Sequence, residues 1–400
     1  RGPGAGGGAW QLFQDLGGGQ GKSLALVSGG LGGGETMRDD GSSQKILIFL
    51  PGLLPGGAER VMLRVAESMT ARGHEVDVVI AERNEDLISL LPQDVGYHKL
   101  GCHNLKAAIR PFAVYLKAQK PDVVLSAMTV ANCIAALAVK LTCLPIRHVM
   151  SERNLYSAQT WPGRFNRLLI PAMTRLLYPQ ADAITVVSSM VADDLAEHVG
   201  IPAHSITTIP NPTPERPAPS AVAPHPWLDE DIPVFLAIAS LTKQKDYPTL
   251  LRAFAVLLRD QPARLLILGK GDEEEALKTL TDELGMTEKI SFEGYRFDRH
   301  DYLSRADFFV LSSTYEGMPN ALLEAMIHNL PVISTKCPGG PMEVLQNGQY
   351  GLLCKVGSPE SMAAAMAQAL ENPEKARGAA NLERFEADRI FDAYERVLLG

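Results

Sequence analysis

The stretch Ser312-Ser313-Thr314-Tyr315-Glu316-Gly317-Met318-Pro319-Asn320-Ala321-Leu322-Leu323-Glu324-Ala325-Met326 reads as the exit of a buried strand, a turn and the opening of a helix. The apolar run 308–311 before it has the continuity of a strand covered on both faces of a parallel sheet. Pro319 is a favoured first-turn residue, and a helix is expected over 321–329. A helix start leaves N–H groups unpaired and carries the positive end of the helix dipole. The amides from Gly317 through Met318, Asn320, Ala321 and Leu322 are therefore expected to form a phosphate site, Pro319 having no N–H to give. Glu316 stands just ahead of that pocket, and Glu324 lies one to two turns inside the helix. Two carboxylates so placed could hold the hydroxyls of a sugar nucleotide. Taken alone, they read more simply as a helix-start carboxylate and a solvated helix face.

The same strand-to-helix unit recurs on both sides. Toward the N-terminus, strands read at 46–50, 76–81, 123–126, 147–150 and 183–187. Between them lie Ala58, Val61, Met62, Val65, Ala66 and Met69 at helical spacing, with Gly73 as a stop, and helices over 105–119, 131–141 and 191–199. Prolines 210, 212, 214, 217, 219, 224 and 226 mark an extended connector. A second alternating series follows, with strands near 234–239, 264–268, 290–292, 308–311 and 332–334 and a helix at 247–259. The fold class is α/β, as two doubly wound, Rossmann-like domains facing a cleft. The expected bounds are 44–212 for the first domain, 213–231 for the connector and 232–377 for the second. Residues 378–400, after a break around Gly378, hold a helix over 382–398 that should pack back on the first domain.

Composition narrows the function. The 400 residues are 46% hydrophobic and 21% charged, the balance of a globular chain long enough for two cores. A net charge of −8 argues against nucleic acid as a partner. The charge is uneven: 44–230 carry 17 basic and 17 acidic residues, whereas 231–400 carry 18 and 25. A neutral half suits a domain that approaches an anionic membrane, and chance gives the same. Cys102, Cys133, Cys143, Cys337 and Cys354 form no C-x-x-C pair, which points to a reducing compartment and no metal site. No run of about 20 apolar residues is present. Residues 1–43 are glycine-laden and expected to be disordered, with Met37 a candidate natural start. Gly21-Lys22-Ser23 imitates the end of a P-loop, but Leu16 replaces the required glycine and no strand precedes it.

The 312–326 segment resembles the E-x7-E signature of retaining glycosyltransferases of family 4, which adopt the GT-B fold. The resemblance continues through Gly56-Gly57-Ala58-Glu59-Arg60, through 240–247 (Ser240-Leu241-Thr242-Lys243-Gln244-Lys245-Asp246-Tyr247) and through 266–271. It also takes in Phe292-Glu293-Gly294-Tyr295 and Pro338-Gly339-Gly340-Pro341 with Glu343, so it runs from residue 45 to nearly the end. It implies that Glu316 bonds the donor sugar near its anomeric carbon and that Glu324 binds the ribose. It further implies that the amides at 318–322 and Gly57 hold a diphosphate which Lys245 neutralises, and that Gly271 and Tyr295 border the base. The implied enzyme is a metal-independent, retaining hexosyltransferase without a cofactor, using a nucleotide sugar (UDP-linked by expectation) and a glycan or lipid-linked acceptor. Polysaccharide or lipopolysaccharide assembly in the cytoplasm, the inner face of the plasma membrane included, would be its setting.

Two departures qualify these expectations. Ser240 stands where the family commonly has arginine, which removes one diphosphate contact unless Lys243 replaces it. The stretch Ser151-Glu152-Arg153-Asn154 stands where many members carry a histidine near the acceptor, so Glu152, Arg153 and Asn154 become the acceptor-side candidates. His148 reads as packed inside its strand. The single D-x-D, Asp229-Glu230-Asp231, suits a solvated loop better than a metal. Residues 161–178 mix Arg164, Arg167 and Arg175 with Phe165, Leu168, Leu169, Ile170, Met173, Leu176 and Leu177. That stretch could rest on a membrane interface, and a domain helix with a solvated basic face explains it as well. A nucleotide-sugar epimerase on the same scaffold and a catalytically silent sugar-nucleotide-binding subunit are the alternatives.

Overall fold

The computed structural model describes residues 43–161, 163–218, 220–377 and 382–400. The expectations for the glycine-laden start, for Met37 and for a break at Gly378 lie outside the described residues.

The first sheet holds β1 (Lys45–Leu50), β2 (Glu75–Ile80), β3 (Gly96–Lys99), β4 (Val123–Ala127), β5 (Arg147–Glu152), β6 (Ala183–Val186) and β7 (Ile206–Thr208). All pair in parallel in the order β3-β2-β1-β4-β5-β6-β7. The crossovers run through α1 (Gly57–Ala71), α2 (Ile109–Gln119), α3 (Thr129–Thr142), α4 (Arg164–Leu177) and α5 (Ser189–Val199). The second sheet holds β8 (Val234–Ile238), β9 (Arg264–Leu268), β10 (Ile290–Gly294), β11 (Phe308–Leu311), β12 (Val332–Thr335) and β13 (Leu352–Cys354). Its order is β10-β9-β8-β11-β12-β13, again parallel. Its helices are α6 (Tyr247–Leu257), α7 (Glu274–Glu283), α8 (Arg299–Leu303), α9 (Asn320–Ile327), α10 (Gly340–Val344) and α11 (Pro359–Glu371). The central strands are apolar along their length because helices cover both faces: all but the first residue of β1 are buried. β3, β7 and β13 escape the sequence reading because they are short edge strands with polar or half-exposed residues.

The last helix, α12 (Ala387–Leu399), is entered through a single turn at Glu383–Phe385, so it starts later than the reading at 382. Ile390, Phe391, Tyr394 and Leu398 recur on one face and join the apolar cluster of β1 and α1. Burying each contributes roughly 1.5–3 kcal/mol. Arg72, the C-cap of α1, ties the helix down through Asp392 and Glu395, each at 2.6 Å.

The two sheets share one apolar cluster, with Val186 and Val191 on one side and Leu311, Met318 and Val344 on the other. Polar links cross the same seam. The Glu343 carboxylate accepts from the backbone N and Oγ of Ser189, both at 3.0 Å, and so occupies the positive start of α5. Arg64 donates to the carbonyls of Pro212 and Thr213 at 3.1 and 3.0 Å, which fixes the connector against α1.

Candidate active site

Strand order reverses between β1 and β4 and between β8 and β11. The loops at those points diverge to opposite faces and leave a crevice at the strand ends. Here the two crevices open into one cavity of about 820 Å³, walled by Gly56 to Arg60, Arg153 and Asn154 from the first domain. Ser240, Lys245, Gly271, Tyr295, Arg299, Gly317, Met318, Asn320 and Ala321 contribute from the second, with Glu316 and Glu324.

β8 and β11 are neighbours, so the loops that leave them meet. Lys245 Nζ donates to Glu316 Oε1 at 2.6 Å across 71 residues of sequence, and Ser313 Oγ donates to the same oxygen at 2.6 Å. Thr314 N to Gln244 O, at 2.8 Å, and Ser312 Oγ to Lys245 O, at 2.6 Å, lace the two loops together. Lys245 is thus engaged by Glu316 as well as facing the cavity. Glu324 is buried, which removes the solvated-face reading. Its two oxygens accept from Arg299 Nε and Nη2 at 2.6 and 2.7 Å, a bidentate pair. Burial opposes the Arg299 charge, but the Glu324 bonds outweigh it and hold the guanidinium pKa above its ordinary value.

Between these carboxylates α9 begins. Pro319 is its N-cap, one position earlier than the expected first-turn role. Among the described residues the amides of Gly317, Met318, Asn320 and Ala321 have no backbone partner, and they lie at the cavity wall. Gly317 must be glycine, because a Cβ there would run into the Arg153 carbonyl of the facing domain. Gly339, at φ +107°, packs likewise against the Glu316 carbonyl. A chain of hydrogen bonds crosses the cleft floor. Arg153 Nη2 donates to Asn211 Oδ1 at 2.5 Å, and Asn211 Nδ2 donates to Asn320 Oδ1 at 2.6 Å and Met318 O at 3.1 Å. Asn320 Nδ2 then donates to Gly57 O at 2.9 Å, so the starts of α1 and α9 converge on one space.

Three expected site residues lie elsewhere. Lys243 is exposed on the turn Lys243–Lys245 and off the cavity wall, because that turn brings Gln244 and Lys245 to the wall and leaves Lys243 outside. Leu322 is buried and its amide bonds Pro319 O at 3.2 Å, since the first helical turn closes there. Glu152 sits behind the wall, where it accepts from Thr129 Oγ1 at 2.8 Å and Tyr178 Oη at 2.7 Å, and burial pushes its pKa up. Ser240 is exposed on the wall, and Gly271 lies flush against the Leu241 backbone. Tyr295 accepts a hydrogen bond from Arg60 across the cleft, so its hydroxyl bridges the domains. Arg153 and Asn154 do face the cavity. His148 is packed in β5 at 2.9 Å from Ser126 Oγ, and burial pulls its pKa down to about 4.

The sequence reading did not select Arg299, Asn211, Glu59 or Arg60 as site residues. Glu59 and Arg60 stood inside a quoted motif; Asn211, between two prolines, and Arg299 gave no local signal. Among the described residues no three His, Cys, Asp or Glu side chains converge. Asp229 and Glu230 face Arg305 and Arg264, at 3.5 and 3.4 Å.

Two doubly wound domains with a helix N-terminus and two cation-held carboxylates opening on their shared cleft define a GT-B enzyme. Residues 55–215 match the model of Glycosyltransferase Family 4, and residues 225–382 match that of Glycosyl transferases group 1. The chain is 28% identical over 362 residues to the Campylobacter jejuni N-acetylgalactosamine-N,N'-diacetylbacillosaminyl-diphospho-undecaprenol 4-alpha-N-acetylgalactosaminyltransferase, covering 87% of this chain and 96% of that one. It is 31% identical over 174 residues to the lipopolysaccharide core biosynthesis glycosyltransferase LpsE of Rhizobium meliloti, covering 42% and 50%. Anabaena HepE, solved in complex with UDP and glucose, has a similar fold at TM-score 0.72 and 18% identity over 89% of this chain and 99% of HepE. The chain is a family 4-type glycosyltransferase with the GT-B fold.

Proposed function

We propose that this glycosyltransferase moves a hexose from a UDP-linked sugar to a glycan or lipid-linked acceptor, with retention at the anomeric carbon and without a metal. The observation that carries the proposal is the start of α9. Its unpaired amides open on the cleft between Glu316 and Glu324, and each carboxylate is held by a cation. A diphosphate fits this donor set. The fixed N–H groups and the Lys245 ammonium stabilise negative charge as it builds on the leaving phosphate. Lys245 has three N–H donors, so one can serve Glu316 while others serve a phosphate oxygen. Glu316 faces the side of the developing positive charge at the sugar. Glu324, oriented by Arg299, is the ribose ligand. As the acceptor hydroxyl attacks the face the phosphate leaves, its proton passes to a phosphate oxygen.

HepE's UDP and glucose, and the diphospho-undecaprenol acceptor named for the Campylobacter relative, support this reading. The surface of α4 supports an acceptor at a membrane. Phe165, Leu168 and Leu176 are 72%, 78% and 65% exposed among Arg164, Arg167 and Arg175, so the outward face is apolar as well as basic. No helix among the described residues is long and apolar enough to cross a bilayer.

The test is a thermal-shift and turnover series with UDP-hexoses in EDTA. UDP should raise Tm in EDTA, and transfer from an α-linked donor should give an α-product by NMR. Stabilisation that needs manganese refutes the metal-free reading, and an inverted product refutes retention. An altered sugar from donor alone identifies an epimerase, and binding without any turnover identifies a silent subunit.

A further inference from the structure

Four carboxylates line the cleft: Asp272, Glu316 and Glu324 from the second domain and Glu59 from the first. Glu316 and Glu324 each have a cation, and Asp272 is solvated. Glu59 differs from all three. It is 6% exposed, and among the described residues it makes no ion pair and no side-chain hydrogen bond. It is in the first turn of α1, and its carboxylate folds back over Gly56, so that a Cβ on Gly56 would strike it. Its hydrogen bond is to its own backbone amide, and Arg153 acts on it only through space. Burial raises its pKa above the ordinary carboxylate value.

A carboxylate at that depth, bonded only to its own backbone amide, carries a desolvation cost that a ligand can relieve. The ligand must donate hydrogen bonds and cannot be the diphosphate, whose charge would repel it. Nor does the donor need it, since Glu316 faces its sugar and Glu324 its ribose. What remains at the first domain's wall is the second substrate. We propose that Glu59 is the acceptor-binding carboxylate. A hydroxyl of the acceptor sugar donates to Glu59 and sets the attacking hydroxyl against the anomeric carbon. Glu59 takes no proton in this assignment; the attacking hydroxyl's proton leaves with the phosphate. The inference rests on the glycosyl-transfer reading and extends it to the acceptor.

The experiment uses the full chain as wild type, Glu59→Gln and Glu59→Ala. UDP affinity is measured by calorimetry, binding of octyl glycosides to the UDP-loaded protein by saturation-transfer NMR, and acceptor KM with the UDP-hexose that stabilises the protein best. UDP affinity and Tm should stay within about twofold and a few degrees of wild type. Octyl glycoside binding should weaken about tenfold or more in Glu59→Ala and by less in Glu59→Gln, with acceptor KM rising in step. Unchanged glycoside binding in both variants overturns the assignment, as does a parallel loss of UDP and glycoside affinity. Absence of glycoside binding in the UDP-loaded wild type overturns it too. Glycoside binding that depends on Glu59 in a protein without transferase turnover leaves the assignment standing and removes the function reading beneath it.

Discussion

Replacing Glu316 by glutamine separates binding from chemistry at the donor site. The carboxylate is 5% exposed and accepts from Lys245 and Ser313, each at 2.6 Å. Glutamine keeps the shape and the Ser313 bond but removes the negative charge. If Glu316 stabilises positive charge that develops at the sugar, the loss falls on the transition state and not on nucleotide binding. A charge-assisted hydrogen bond of about 1.5–3 kcal/mol gives a kcat loss of about ten- to 150-fold. Lys245, released from its partner, keeps its ammonium for the diphosphate, so UDP affinity should hold or tighten by a few-fold. The freed lysine side chain is 17% exposed, which softens the cost of breaking the pair to on the order of 2 kcal/mol of stability. Calorimetry with UDP, steady-state turnover and thermal unfolding on the same preparations give the three quantities. UDP affinity and kcat falling together, or both unchanged, would refute the division of labour between Glu316 and Lys245.

Three further outcomes are expected. Glu324→Ala leaves Arg299 unpaired and should weaken UDP by about ten- to 150-fold, with kcat at saturation less affected; Arg299→Leu should follow in the same direction, as calorimetry would report. Asn320→Ala removes the 2.6 Å bond from Asn211 and the 2.9 Å bond to Gly57 O that ties the start of α9 to that of α1, and it should raise donor KM and lower stability by about 1–3 kcal/mol. His148, with a folded pKa near 4 against an unfolded value of about 6.5, stabilises fully above the unfolded value and loses that contribution as pH falls through the window. The loss should approach about 3 kcal/mol near pH 4 in chemical-denaturation curves, and His148→Gln should flatten that part of the profile.

Local chemistry made much of this protein legible from its residues. Buried parallel strands need continuous apolar runs, so 46–50, 123–126, 234–239 and 308–311 declared two doubly wound sheets. A helix that starts at a strand exit leaves amides that can bind an anion, so 317–322 and the flanking Glu316 and Glu324 read as a candidate site, of which the Leu322 amide is taken up by the helix's own first turn. Edge strands such as β3, with two of its residues exposed, carry no continuous apolar run and were not legible. What only the tertiary structure decided is which distant groups share the cleft. Lys245 points at Glu316 while Lys243, two positions away, points into solvent, because β8 and β11 adjoin and their loops touch at one turn. Arg299 finds Glu324, and Asn211 joins Arg153 to Asn320, through bonds spanning 25, 58 and 109 residues. The burial of Glu324 beside Arg299 and of Glu59 over Gly56 is likewise set by what the fold packs around them. Pairing and desolvation are set by neighbours in space, and helical spacing along one segment carries no record of them.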